Sequence, residues 1–408
     1  MKISLLHYSS QPIVGGVESV LAHHAHLMTN AGHEVTILTG RGENYDKSIP
    51  VRVLPRLDSR HAEVTQVKSV LDIGKLTPAF DTLRDKIKWE LVEELSRCDI
   101  LIAHNVASLH KNLALTAALY ELNGTPDFPR IILWHHDLAW TTARYHDELH
   151  DGYPWDLLRK NWQAVTQVVV SKLRQQELAK LYGISEDSIH VVPNGVDINA
   201  FFKFEPQTVK LIESLDLLDV DPLFLLPVRL TPRKNIELAL LVMAEVKKKL
   251  PGAGLLVTGP EGPHNPANVA YKEKLIKLRN ELGLQGSAHF LAETTSEFMP
   301  DQVIADFYRL ADALLFPSRE EGFGIPIIEA AFSHLPVFCA DIPVLHELGG
   351  NDLSYFDPDE QPIKVAHQIM ERLQNETTSR WARHAKRGYM WNQIYTSRIA
   401  PLIVEGER

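Results

Sequence analysis

The segment Pro317-Ser-Arg-Glu-Glu-Gly-Phe-Gly-Ile-Pro-Ile-Ile-Glu-Ala330 carries the strongest indication of the fold. It follows Ala311 to Phe316, a short apolar run typical of a buried strand, and it carries Pro326 where a helix accepts proline, at its first position. The order predicts a strand, a glycine turn and a helix. Glycines let the backbone approach a ligand, and the free amides and positive dipole end of the helix favour a phosphate. The sequence therefore predicts an anion-binding turn at Gly322 and Gly324.

Two glutamates flank this turn. Glu321 precedes the predicted helix, and Glu329 lies about one turn inside it. A carboxylate beside a phosphate site is explained by a ligand that also carries sugar or ribose hydroxyls, because carboxylates accept hydrogen bonds from them. The simpler alternative is a glycine connection whose charges are solvated. The pattern favours a polyhydroxylated ligand.

Size and composition bound the class of protein. At 408 residues the chain suits two α/β domains, and 45% hydrophobic and 23% charged residues exclude disordered chains and membrane bundles. The net charge of −10 argues against a nucleic-acid partner. The start Met-Lys-Ile-Ser-Leu-Leu-His indicates a strand, not a signal peptide, and two cysteines fit a reducing compartment. We expect a cytoplasmic protein with at most peripheral membrane contact.

Short β-type runs alternate with helical segments along the whole chain, which predicts two open, mostly parallel, doubly wound sheets. The first half contains the runs Ile3–His7, Glu34–Leu38, Val51–Leu54, Asp99–Ala103, Arg130–Trp134 and Gln167–Val170. The second half contains the runs Ile189–Val192, Leu223–Val228, Gly254–Thr258, Ala288–Leu291, Ala313–Phe316, Val337–Ala340 and Ser354–Phe356.

Two cations stand near the end of one predicted strand. Arg229 follows Leu223–Val228, and Lys234 lies just before the next predicted helix, Ile236–Lys249. At these places both side chains can converge on one anion. An ordinary solvated pair is the alternative. Their position beside the glutamate turn favours a phosphate-binding pair.

In the first half, polar residues and glycines also follow strands. Gly15 and Gly16 open a predicted helix, Ser19–Ala31, so their amides face outward at its start; a tight turn without a ligand is the alternative. The strand Arg130–Trp134 ends in His135 and His136. A metal site formed by these two histidines and His146 is conceivable by residue type, but neighbouring strand residues point to opposite faces. The sequence predicts no metal site.

The spacing Glu321-x(7)-Glu329 around Gly-Phe-Gly resembles the signature of retaining glycosyltransferases of family 4. That resemblance implies the GT-B fold, with two doubly wound Rossmann-like domains facing across a cleft. It places an acceptor-side domain at residues 1–187 plus about 388–408, and a nucleotide-sugar domain at 188–387. Pro193-Asn-Gly-Val-Asp197 resembles the segment between the domains, and Trp391 resembles the tryptophan where the last helix returns.

The resemblance also implies roles for residues. Arg229 and Lys234 hold the donor diphosphate, Glu321 positions the sugar hydroxyls, and Glu329 holds the ribose. His136 acts near the reacting centre, with His135 as the reserve. The residues implied in donor binding are Gly15, Gly16, Arg229, Lys234, Gly259, Glu321, Gly322, Phe323, Gly324, Ile325 and Glu329.

The function implied is transfer of a hexose from a nucleoside-diphosphate sugar with retention of configuration. The donor is a uridine diphosphate sugar or guanosine diphosphate mannose, with uridine favoured. The acceptor is a saccharide, a small molecule or a lipid-linked saccharide, and neither a cofactor nor a metal is required. A nucleotide-sugar epimerase of the same fold and a non-catalytic nucleotide-sugar-binding protein are the alternatives.

Overall fold

The computed structural model describes residues 1–260, 266–294 and 299–404. The chain divides into two compact units. Unit 1 is Met1–Gly195 with Trp391–Arg408, and unit 2 is Val196–Met390. Each unit contains one parallel sheet, and helices alternate with the strands. The predicted α/β class with two doubly wound Rossmann-like domains is confirmed.

The sheet of unit 1 has seven strands in the order β3-β2-β1-β4-β5-β6-β7. The strands are β1 (Lys2–Ser9), β2 (Glu34–Arg41), β3 (Val51–Val53), β4 (Ile100–His104), β5 (Arg130–His135), β6 (Val165–Val169) and β7 (Ile189–Val191). The central strands are apolar on both faces, because helices cover each side of the sheet. The helices are α1 (Gly16–Asn30), α2 (Ala62–Leu71), α3 (Pro78–Leu95), α4 (Leu113–Leu122) and α5 (Lys172–Tyr182).

The sheet of unit 2 has six strands in the order β10-β9-β8-β11-β12-β13. They are β8 (Leu223–Leu226), β9 (Gly254–Val257), β10 (Ala288–Phe290), β11 (Ala313–Phe316), β12 (Val337–Ala340) and β13 (Ser354–Phe356). The helices are α6 (Ile198–Phe202), α7 (Pro206–Ser214), α8 (Ile236–Lys247), α9 (Pro266–Glu281), α10 (Asp301–Leu310), α11 (Ile325–Phe332), α12 (Pro343–Gly349), α13 (Pro362–Asn375) and α14 (Thr377–Tyr389).

The C-terminal segment packs on unit 1. It consists of α15 (Trp391–Ile394), a π-helical turn (Tyr395–Ile399) and α16 (Ala400–Val404). The Arg130 side chain donates hydrogen bonds to the carbonyl oxygens of Leu402 and Ile403 at 2.8 and 2.9 Å. Because both carbonyls lie near the helix end, the arginine satisfies acceptors that the helix itself leaves open.

The expected start of the second domain at residue 188 is wrong. The predicted strand Ile189–Val192 was expected to open unit 2, but the observed strand β7 pairs with β6 of unit 1, with Ile189 opposite Gln167. Ile189 is buried in a cluster with Leu178 and other residues of unit 1, so its apolar side chain finds its core there. The chain passes into unit 2 only after Gly195, and it returns at Trp391, the tryptophan where the return of the last helix was expected.

Within the described ranges, no helix is both long and apolar enough to cross a membrane.

Candidate active site

The topology of unit 2 creates a crevice at the carboxyl ends of its central strands. Strand β8 has β9 on one side and β11 on the other, so the loops that follow β8 and β11 leave in opposite directions. In doubly wound sheets, ligands bind at such a switch point. The two loops contact each other, since the Arg319 amide donates to the Arg233 carbonyl oxygen at 2.9 Å. The candidate site therefore lies between residues 227–235 and 317–324.

Lys234 and Glu321 form an ion pair in this crevice. The lysine Nζ lies 2.5 Å from the glutamate Oε1, and the two side chains are only 10% and 8% exposed. A 3₁₀ turn at Pro232–Lys234 presents the lysine, and its backbone amide donates to the Thr231 carbonyl oxygen at 3.0 Å. Opposite charges buried this way each depend on the partner, because either one alone would lose its hydration uncompensated. Both were predicted site residues, and the structure brings them together.

Arg229 is placed differently. Its side chain is exposed, and over the described part of the chain it has neither an ion pair nor a side-chain hydrogen bond. The predicted cation pair is thus divided: Lys234 is bound to Glu321, while the Arg229 guanidinium is open to a ligand. Convergence of the two cations on one anion stays a prediction.

Gly259 explains how the loop after β9 fits against Arg229. A Cβ atom at this position would lie 2.0 Å from the Val228 carbonyl oxygen and 2.5 Å from the Arg229 amide nitrogen. Only glycine therefore allows the backbones of the two loops to approach this closely. The unusual continuation of this loop, Pro263-His264-Asn265, lies outside the described residues.

The turn before α11 presents unpaired backbone donors. The amides of residues 322 to 325 have no acceptor in the ranges that the structure describes, whereas the Ile327 amide donates to the Gly324 carbonyl oxygen at 3.0 Å. Gly324 has a φ of 104°, in the region that favours glycine. Phe323 and Ile325 are 56% and 59% exposed, so these predicted donor-binding side chains are open to solvent. The arrangement is that of an anion-binding helix start.

Glu329 has a partner that the sequence did not reveal. The Tyr308 hydroxyl donates to the Glu329 Oε2 at 2.7 Å, and it also lies 3.3 Å from the Pro326 carbonyl oxygen. Burial and the hydrogen bond to Glu329 raise the pKa of Tyr308, so the phenol stays protonated as a donor. Tyr308 lies on α10, far from Glu329 along the chain, and no local sequence pattern links the two.

In unit 1 the corresponding switch point lies at β1, which has β2 and β4 as neighbours. Helix α1 begins at Gly16, three residues before the predicted Ser19. A Cβ at Gly15 would lie 2.1 Å from the Glu18 Oε2, while nothing lies within 4 Å of a Cβ at Gly16. Glu18 is held over Gly15 by the Ser9 hydroxyl, which donates to its Oε1 at 2.6 Å. Gly15, but not Gly16, thus makes room for a carboxylate beside the helix start.

His136 directly follows β5 and lies beside His104, the last residue of β4. The His136 Nε2 shares a hydrogen bond of 3.1 Å with the His104 Nδ1, and the His136 amide donates to the Asn105 Oδ1 at 2.7 Å. Burial, with smaller contributions from His7 and His135, lowers the pKa of His136 to about 3. The imidazole is therefore neutral at physiological pH. Asn105, which accepts the hydrogen bond from the His136 amide, was not predicted as a site residue.

The three histidines considered for a metal do not meet. His135 points away from His136 and shares a 2.8 Å hydrogen bond with Gln167, and burial lowers its pKa to about 4. His146 is exposed. In the described part of the chain, the side chains of Asp72, His110 and Glu148 do meet at metal-ligand distances. The Lys68 ammonium, however, donates to both carboxylates at 2.7 Å, so it already provides a cation there.

Comparison with known proteins adds to this geometry. A family described as Glycosyl transferases group 1 matches residues 210–388, and one described as Glycosyltransferase Family 4 matches residues 14–200. The chain therefore belongs to the glycosyltransferases that these two models describe. The first match contains the crevice of unit 2 with Lys234 and Glu321, and the second contains the glycine pair and His136 of unit 1.

Individual members of the glycosyltransferase family are similar to this chain. The mannosylglucosylglycerate synthase of Petrotoga mobilis is 30% identical over 271 residues, which are 62% of this chain and 61% of that protein. The D-inositol 3-phosphate glycosyltransferase of Nocardia farcinica is 31% identical over 41% of this chain and 35% of its own. The MMP alpha-(1->4)-mannosyltransferase of Mycolicibacterium hassiacum is 24% identical over 86% and 84%. The match thus spans less than two thirds of the first two relatives and most of the third.

Proposed function

We propose that this glycosyltransferase moves a hexose from a nucleoside-diphosphate sugar to a hydroxyl acceptor, with retention of configuration at the sugar. The observation that carries the proposal is the buried pair of Lys234 and Glu321, 2.5 Å apart at the switch point of unit 2. The pair lies in the crevice onto which the turn with unpaired amides opens. A cation, a carboxylate and free backbone donors match a ligand that has both phosphate and hydroxyl groups.

The chemistry assigned to these groups is electrostatic. As the bond between the sugar C1 and the diphosphate oxygen breaks, negative charge grows on the departing diphosphate. Lys234, Arg229 and the amides at the start of α11 stabilise that charge. The acceptor oxygen forms the new bond to C1 on the same face of the sugar, and its proton leaves with the diphosphate. The charges of this step are balanced without a covalent enzyme intermediate.

The two glutamates have separate roles in this proposal. Glu321 accepts hydrogen bonds from the sugar hydroxyls, and its direct contact with Lys234 holds the carboxylate in place. Glu329 holds the ribose hydroxyls, with the Tyr308 hydroxyl fixing one of its oxygens. In unit 1, His136 is assigned to the reacting sugar as a neutral hydrogen-bonding group, because its lowered pKa prevents it from carrying a charge.

We also infer which hexose is transferred and which nucleotide bases the donor can carry. The names of the Petrotoga mobilis and Mycolicibacterium hassiacum relatives favour mannose as the transferred sugar. Uridine and guanosine diphosphate donors are both compatible with the proposed diphosphate contacts. Since Arg229 and Lys234 supply two positive charges for the diphosphate, the proposal includes no metal cofactor.

The test combines turnover with a matched pair of variants. Purified protein is incubated with uridine diphosphate glucose or guanosine diphosphate mannose and a set of hydroxyl acceptors, and nucleotide release and product anomer are measured. We expect release that depends on an acceptor and a retained anomeric configuration. Lys234→Gln should abolish release, while Arg233→Gln, at the exposed neighbouring residue, should not. Release of an altered nucleotide sugar without acceptor would identify an epimerase, and binding without turnover a binding protein.

A further inference from the structure

A polar cavity of about 380 Å³ lies in unit 1, at the carboxyl ends of β1 and β2. Its lining includes the three cations Arg41, Arg60 and Lys111 and one carboxylate, Glu18. Arg41 ends β2, and Lys111 follows β4. The cavity thus occupies the edge of the sheet where doubly wound folds bind their ligands.

The cations of this cavity are poorly neutralised by the protein. Across the described residues, the side chains of Arg60 and Lys111 have no ion pair and no hydrogen bond. Arg41 has one carboxylate near it, with its Nε 3.4 Å from the Asp58 Oδ2. By contrast, Arg56 of the same unit pairs with two carboxylates. The cavity therefore holds two cations whose side chains have no protein partner among the described residues.

The remaining polar groups of the cavity add little negative charge. Glu18 is the carboxylate in the lining, and its Oε1 already accepts the Ser9 hydroxyl at 2.6 Å. Burial lowers the pKa of His7, although Glu18 opposes this effect, so the imidazole is neutral. The three cations thus have two carboxylates beside them, Glu18 in the lining and Asp58 next to Arg41. Like charges held together repel, and an anionic ligand relieves that repulsion.

We propose that this cavity binds the acceptor, and that the acceptor is a small polyol carrying a phosphate or a carboxylate. The inference rests on the proposed function for the existence of an acceptor. Guanidinium groups match the paired oxygens of either anion, and the ammonium of Lys111 adds a further charge-assisted hydrogen bond. Glu18 accepts a hydrogen bond from a hydroxyl of the same molecule. A neutral saccharide would offer these cations no opposite charge.

The anionic group takes no part in the bond changes. The acceptor hydroxyl oxygen bonds to the sugar C1 while the bond from C1 to the diphosphate breaks, and the hydroxyl proton leaves with the diphosphate. The phosphate or carboxylate is unchanged in the product. The cations therefore act in binding, and their removal should raise the acceptor KM with little change in kcat.

The experiment compares matched acceptors that share a carbon skeleton and differ in whether they carry a carboxylate, a phosphate or neither. One set is glycerol, glycerate and glycerol 3-phosphate, and the other is glucose, glucuronate and glucose 6-phosphate. Binding of each to the donor-free protein is measured by calorimetry for the parent, for the double variant Arg60→Gln/Lys111→Gln, and for Arg52→Gln. Arg52 is an exposed arginine of β3 outside the cavity lining, so it controls for net charge.

We expect an anionic member of a set to bind at least tenfold more tightly than its neutral counterpart. The double variant should lose this difference, Arg52→Gln should keep it, and the better of the two anions identifies phosphate or carboxylate. Equal binding of neutral and anionic members, or no binding of any anionic member, would overturn the inference. So would an unchanged preference in the double variant.

A separate measurement distinguishes this inference from the proposed function. Binding of nucleoside diphosphates and nucleotide release are followed with the same proteins. If the donor is turned over only with neutral acceptors, the inference is wrong and the proposed function stands. If no nucleotide sugar is bound or turned over, the proposed function is wrong, and the calorimetry with anionic polyols still decides whether the cavity binds anions.

Discussion

The side chains of Lys234 and Glu321 are buried together, and the charge of each is neutralised by the other. Removing one member leaves a buried charge without a partner, whereas removing both leaves an apolar contact. This asymmetry separates the structural role of the pair from its proposed role in catalysis.

Lys234→Met should lower the free energy of unfolding by about 3 to 5 kcal/mol, because Glu321 is left buried and unpaired. The double variant Lys234→Met/Glu321→Leu should recover most of that stability. Sugar transfer should fall at least about 100-fold in both, since the charge on the departing diphosphate loses its cation. Denaturant unfolding and nucleotide release measure the two effects. Activity that returns together with stability would show that the pair is only structural.

At the same scale, the sequence predicted which residues form the site but not how they pair. Both Lys234 and Glu321 stand in recognisable local patterns after strands. Their contact joins residues 87 positions apart, so it depends on the strand order of the sheet. The contact between Tyr308 and Glu329 was not predicted for the same reason, because Tyr308 lies in an ordinary amphipathic helix.

Among the secondary-structure elements, the turn before α11 fixes the position of the backbone amides of residues 322 to 325. Gly324 has a φ of 104°, and a Cβ there would lie 2.8 Å from the Leu345 Cδ2. Gly322, two residues earlier, has nothing within 4 Å of the same position. There is therefore room for a side chain at Gly322 but not at Gly324.

Gly324→Ala should lower the free energy of unfolding by roughly 1 to 3 kcal/mol, because alanine is strained at this φ and its methyl group meets Leu345. It should also weaken nucleoside diphosphate binding by displacing the amides. Gly322→Ala is the matched control and should leave stability within about 0.5 kcal/mol of the parent. Thermal melting and calorimetry measure both properties, and equal effects of the two substitutions would contradict this view of the turn.

A second elemental feature is the aromatic cluster between α1 and the strands of unit 1. The His24 ring lies 4.6 Å from the Trp134 ring and 5.3 Å from the His104 ring. Among the described residues, neither ring nitrogen of His24 has a hydrogen-bond partner. Burial, with contributions from His136 and His23, lowers the pKa of His24 to about 3. The cluster therefore prefers neutral histidines.

The stability of unit 1 should fall as the pH falls below about 6.5. In that range the unfolded histidines bind protons, with a pKa near 6.5, while the folded His24 and His136 do not until about pH 3. The stabilisation is thus complete above pH 6.5 and is lost progressively toward pH 3. Denaturant unfolding at pH 7.5 and 5.5 measures it. His24→Leu should reduce the loss of unfolding free energy between these two pH values, and an unchanged loss would contradict the role of His24.

The elements themselves were largely predictable. Ala313–Phe316, Val337–Ala340 and Ser354–Phe356 were predicted with the bounds that the structure shows, because each is a short apolar run between turn residues. β7 was predicted as a strand but placed in the wrong unit. An isolated edge strand carries no mark of the sheet that it will join.

At the scale of the whole molecule, residues from both ends of the chain build unit 1. The Trp391 side chain is only 5% exposed, and its ring lies 5.2 Å from the His23 ring. A Cβ at Gly195 would lie 2.6 Å from the Trp391 Cδ2, so glycine is needed where the chain leaves the unit. Unit 1 is completed only when the C-terminal segment has returned.

Trp391→Ala should destabilise unit 1 by about 3 to 5 kcal/mol, because it empties a large buried position against α1. The core of unit 2 does not include Trp391, so its unfolding transition should shift less. Hydrogen exchange resolved by segment distinguishes the two units. Equal loss of protection in both units would contradict the assignment of the C-terminal segment to unit 1 alone.

We propose that the crevice of unit 2 binds the diphosphate of a nucleotide sugar. The most direct test is calorimetric binding of uridine diphosphate and guanosine diphosphate to the parent protein and to Arg229→Gln. Arg229 is exposed and has no partner in the described ranges, so its substitution should leave the fold intact. We predict that one of the two nucleotides binds the parent and that Arg229→Gln weakens this binding at least tenfold. Binding of neither nucleotide, or equal affinity in the variant, would contradict the claim.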